Sequence, residues 1–177
     1  MATTHGVLVS SNMTQARQLD SLRRSFQIGT DIDNGHIITL GALVSGEDDT
    51  YVGVLPSSAV NTLELWMVND YEVATSTDGY KGLTPDARAA YVPADTTASC
   101  FKLKNYDRIV LDGNAIAGTF GTNTHVNVAT TGKLVWAASA SNATIGKLVK
   151  TGVAQLGGKN PTEYSMPVYT IEIMNQA

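Results

Sequence analysis

The chain has a single cysteine, Cys100, among 177 residues. That excludes an intramolecular disulfide and leaves packing or assembly to supply stability. It is also short of charge: Asp, Glu, Lys and Arg make up 16% of the residues, below the usual quarter of a globular domain. The three histidines, His5, His36 and His125, stand in separate segments with no second ligand at metal spacing, so no metal site is expected. Lys and Arg are too few and too scattered to neutralise a phosphate backbone, and the net charge of -4 points away from nucleic acid. No apolar run approaches a membrane span, so no membrane partner is expected. The opening MATTHGVLVSSNMTQ lacks the charged start and apolar core of a secretory signal, and synthesis in the cytoplasm is expected. Without a secretory route, the glycosylation patterns at Asn12-Met13-Thr14 and Asn142-Ala143-Thr144 are read as chance.

Catalytic motifs are missing as well. There is no Gly-x-Ser-x-Gly elbow, and Cys100 stands in an apolar strand context that suits a structural thiol. The stretch Gly152-Val153-Ala154-Gln155-Leu156-Gly157-Gly158-Lys159-Asn160 fails as a phosphate loop, because Val153 and Asn160 occupy the positions that need Gly and Ser or Thr; it reads as a flexible loop. Glu47, Asp48 and Asp49 lack the alternating ligands of a calcium loop and read as an acidic turn. Glu64 and Glu72 have no motif that would mark them as a glycosidase pair. Trp66 and Trp136 fit core or interface anchors better than a sugar-stacking platform. No cofactor is expected, and the chain does not read as an enzyme.

What is present is a succession of short β-branched runs cut by turn residues. Asn34-Gly35 introduces His36-Ile37-Ile38-Thr39-Leu40; the acidic turn follows; Thr50-Tyr51-Val52-Gly53-Val54-Leu55 resumes the run until Pro56. In Thr62-Leu63-Glu64-Leu65-Trp66-Met67-Val68 the apolar Leu63, Leu65 and Met67 share one face. Further strands are predicted at 100–103, 108–111, 125–128, 133–136, 146–149 and 168–174, with Thr130-Thr131-Gly132 as a hairpin turn and 75–95 as a long loop. Eight to ten strands at this spacing predict an all-β fold, an antiparallel β-barrel or β-sandwich over residues 31–177. Charge is uneven: residues 47–112 hold five basic and eleven acidic groups, and residues 113–177 hold four and two. One segment departs from the pattern. Leu19, Leu22 and Phe26 have helical spacing, with Arg17, Arg23 and Arg24 around them, so residues 1–30 are read as a short capping helix or an extended N-terminal arm.

The stretches DNGHIITLGALVSGEDDTYVGVLP, LELWMVNDYEV, KNYDRIVLDGNAI and VNVATTGKLVWAA, behind that N-terminal segment, resemble the small β-rich structural proteins of tailed bacteriophages. Among these the chain most resembles capsid decoration, or cement, proteins. The resemblance implies a protein of the virion surface that binds the outside of an expanded icosahedral head and clamps neighbouring major capsid proteins, often as a homo-oligomer, a dimer or trimer. It also implies an N-terminal arm that lies along the capsid and adds a strand to a neighbour's sheet. Arg17, Arg23 and Arg24 would then face acidic capsid groups, while Leu19, Leu22 and Phe26 would be buried in the contact. A tail, fibre or receptor-binding component and a carbohydrate-binding module share the same composition and stay open as alternatives.

Overall fold

Ile37 and Ile38 are adjacent and both fully buried. Successive residues of a strand point to opposite faces, so this pair requires a strand covered on both sides. The computed structural model, which describes residues 6, 8, 22–56, 63–70, 91–155 and 165–174, supplies both covers. Its strands are β1 (Arg23–Gln27), β2 (Ile37–Leu43), β3 (Thr50–Val54), β4 (Trp66–Val68), β5 (Ala98–Lys102), β6 (Arg108–Asp112), β7 (Ile116–Ala117), β8 (His125–Val128), β9 (Leu134–Ala137), β10 (Thr144–Gln155) and β11 (Ser165–Ile173). The first five close into a barrel in the order β1-β3-β2-β4-β5, and the rest form a six-stranded sheet in the order β6-β11-β10-β8-β9-β7.

The expected all-β class holds; the expectation of an antiparallel fold is corrected at two places. β1 runs parallel to β3, and β7 parallel to β9. The first follows from the path of the chain: β2 and β3 form an antiparallel hairpin, and residues 28–36 carry the chain across the barrel end from β1 to β2, so β1 must align with β3. The six-stranded sheet curls. Laid flat, its two margins would stand about 24 Å apart, yet β6 and β7 are those margins and only residues 113–115 join them. Four residue steps reach at most about 14 Å. The turn is set by the buried Asp112, whose carboxylate accepts hydrogen bonds from the Ala115 N–H and the Asn114 side-chain amide, both at 3.0 Å.

Alternation then sorts the core into two layers. Phe26, Ile38, Trp66, Val68, Ala98 and Cys100 fill the barrel. Ile37, Met67 and Phe101, their neighbours in sequence, leave the barrel wall on its other side and pack against Ile109, Leu111, Val126, Leu134, Ile145 and Ile171 of the curled sheet. Backbone crosses the same boundary, with the Ile37 N–H donating to the Gly132 carbonyl at 2.8 Å. Gly132 sits at φ +77°, and a Cβ there would come within 2.5 Å of the Ile37 carbonyl oxygen, so the β8–β9 turn needs glycine both to form and to dock.

Two sequence expectations are corrected here. Gly152-Val153-Ala154-Gln155 belongs to β10 instead of a loop, because the strand continues through its pairing with Ser165-Met166-Pro167-Val168. Arg23–Gln27 is a strand; the helical spacing of Leu22 and Phe26 yields to pairing with β3 on one side and β5 on the other. Most of the predicted loop 75–95 lies outside the described residues, although Val92 bridges Ile32.

Candidate functional site

The residues expected to bind a partner separate into three groups. Arg17 and Leu19 lie outside the described residues. Phe26 is fully buried inside its own barrel, seated on Gly53, where a Cβ would approach its ring to 2.9 Å. Leu22 is half-buried just before β1. Arg23 and Arg24 are at the start of β1; Arg23 is exposed, and the Arg24 guanidinium donates to the Arg23 carbonyl.

The parallel register gives those arginines a neighbourhood. Ser25 is level with Thr50, so the chain before each residue, Arg23-Arg24 on β1 and Glu47-Asp48-Asp49 before β3, reaches the same end of the barrel. Both signs of charge therefore share one rim, and among the described residues no ion pair joins them. The acidic residues form the tip of the β2–β3 hairpin, closed by a Glu47 N–H to Val44 carbonyl bond and by Gly46 at φ +87°.

Beside that tip is an apolar face. On β3, Gly53 turns inward to make room for Phe26, and by alternation Val52 and Val54 turn outward. Val52 and Val54 are each more than 40% exposed, and Gly41 lies against both without a side chain to cover them; Leu43, also exposed, is level with Tyr51 and so belongs to the other face of the hairpin. The sequence carried a signal for this surface that the reading missed: in Val52-Gly53-Val54 the smallest residue occupies one face and two valines the other. Opposite a barrel-filling phenylalanine, the glycine must be the inner one.

Burial outweighs the nearby Asp33 carboxylate and, with Lys133 adding to it, lowers the pKa of His36; the imidazole Nε2 is 3.9 Å from Asp33 and among the described residues has no hydrogen-bond partner. Burial pushes the Cys100 thiol up to about 12 despite a hydrogen bond to the Arg24 carbonyl, which keeps it protonated in the core. Glu64 pairs with Lys102, and Glu72 lies outside the described residues. Among the described residues no group of three or more His, Cys, Asp or Glu is placed to hold a metal ion. Trp66 and Trp136 are both buried. Trp136 stacks in a triangle with Phe120 and Tyr169, ring centroids 5.1–5.2 Å apart, so its faces are used within the fold.

The described surface thus presents an apolar strand face on a closed barrel, bordered by an acidic tip and two arginines. Compared with protein-family models, with curated proteins and with solved structures, the chain finds no match in any of the three.

Proposed function

We propose that the chain is a virion structural protein that binds the outer surface of a phage head and clamps neighbouring major capsid proteins, stabilising the expanded shell. The observation that carries this reading is the exposed Val52 and Val54 face next to the Glu47-Asp48-Asp49 tip. An apolar centre with a charged border is the anatomy of a protein contact, and this one stands on a closed barrel that loses little freedom on docking. The low charge density fits a protein that is partly covered in an assembly. Many weak copies on a lattice would act together through avidity. The protein acts at the capsid surface, without nucleic acid or membrane as partner, and as a homo-oligomer.

The test is binding of the purified protein to expanded, undecorated heads, followed by heating. Saturable binding that raises the temperature of head rupture supports the reading. A Val52→Lys/Val54→Lys variant, changed only at outward positions, should keep its fold and lose most of the binding. No binding by the unaltered protein overturns the proposal and favours a tail or receptor-binding component.

A further inference from the structure

An edge strand offers unpaired N–H and C=O groups to any extended partner unless something blocks it. The barrel has no edge, because β1 pairs with β5. In the curled sheet, one margin, β6, is bridged at Leu111 by Leu8, and the other, β7, is only two residues long. The interior strand β10 outruns its neighbour. β8 pairs with it only at Thr144, Gly146 and Lys147, with one further bond from the Leu148 N–H to the Thr124 carbonyl. From 149 to 155 β10 is held on the β11 side alone, and among the described residues nothing pairs with its other edge. That open stretch is about 23 Å long. β11 also overhangs its neighbour β6, over Ser165-Met166-Pro167, but there Pro167 has no N–H to offer. The β10 overhang has no proline and one charge, Lys150.

We propose that this edge is a self-association surface: β10 pairs antiparallel with β10 of a second copy about a two-fold axis at Thr151, joining two curled sheets into one. The sequence is self-complementary in that register. In an antiparallel pair of identical strands centred on Thr151, Val149 faces Val153 and Lys150 faces Gly152, and the ladder ends there because β8 already holds Lys147 and Leu148. Val153 is 70% exposed and Val149 45%, so the two apolar side chains that the isolated chain leaves in water cover each other. Centring on Lys150 would set two ammonium groups face to face, which is destabilising. Centring on Gly152 would break both valine pairs. A second copy is therefore the occupant that this edge fits, through an isologous contact. The pairing belongs to the free chain and stands apart from the capsid reading.

The experiment needs no capsid. Sedimentation of the full chain over a range of concentrations should show a monomer–dimer equilibrium. Val153→Lys should shift it at least tenfold toward monomer while leaving the melting profile of the monomer unchanged, since the side chain is mostly in water. The register is read by two cysteine variants. In the proposed pairing Thr151 faces itself at a Cα separation of about 4.5–5.5 Å, within disulfide reach. The two Gly152 residues are offset to about 8 Å. Mild oxidation should thus give a covalent dimer of Thr151→Cys and not of Gly152→Cys, with the buried Cys100 silent in both. A chain that stays monomeric, a dimer indifferent to Val153→Lys, or equal cross-linking at both positions overturns the proposal.

Discussion

Replacing Phe26 with alanine separates a barrel strand from a docking arm. The ring is fully buried among Ile38, Trp66, Val68 and Cys100, on a strand hydrogen-bonded along both sides. Truncating such a ring costs about 3–5 kcal/mol, the transfer of the side chain plus the cavity left behind. For a chain of this size that lowers the melting temperature by about 6–20 °C. The partner position supplies a sharper test. A methyl at Gly53 would meet the Phe26 ring at 2.9 Å, the Gln27 carbonyl at 3.3 Å and Ile28 at 3.3 Å, so Gly53→Ala alone overpacks the barrel by about 1–3 kcal/mol. In the double variant the new methyl enters space that the ring has vacated, and the combined loss should fall short of the sum by at least about 0.5 kcal/mol. Urea unfolding followed by circular dichroism measures all three, with exposed Arg23→Ala as a control expected within about 0.5 kcal/mol of the parent. If Phe26→Ala costs less than about 1 kcal/mol, or if the two losses simply add, the ring does not sit on Gly53 inside a closed barrel.

Asp112→Ala should cost about 1–3 kcal/mol in the same assay, because the buried Ala115 N–H loses its acceptor. Asp112→Asn, which retains a side-chain oxygen, should recover part of that loss. The lowered pKa of His36 means that the unfolded chain binds the extra proton more readily: stability is fully present above the ordinary value of 6.5 and falls as pH drops from there through the folded value. Thermal scans on either side of that window should show this slope in the parent and a flatter one in His36→Gln; equal slopes would refute it. Cys100, protonated and 1% exposed, should resist a thiol reagent in the native protein and react at the rate of global unfolding, measured by titrating label uptake against urea.

Most strands were legible because each carries a local mark. Asn34-Gly35 and Thr130-Thr131-Gly132 occupy the turns their residue types predict, with Gly35 and Gly132 at φ +87° and +77°. Leu63, Leu65 and Met67 do share a face, the one turned toward the curled sheet. β1 was not legible, since its strand character comes from two ladders supplied by residues 50–52 and 98–101, far along the chain. Without them, Leu22 and Phe26 have helical spacing and nothing local to contradict it. The far end of β10 failed for a related reason: Gly152 suggests a loop, and only the register against β11 makes it a strand. Of the candidate contact residues, Arg23 is exposed at the barrel rim and Phe26 is buried inside the barrel. The exposed valines went unread because β-branched residues in a strand suggest a core, and which face is buried depends on what lies across the barrel.

The position of β1 has a mechanical consequence. Hydrogen bonds in a ladder run across the strands, so tension applied along β1 from its N-terminal end loads the bonds to β3 and β5 in shear, and they must give way together. A strand at an open margin would instead peel one bond at a time. A load applied just ahead of Leu22 is thus delivered to a strand gripped on both sides, and the barrel should yield as one unit at a high force.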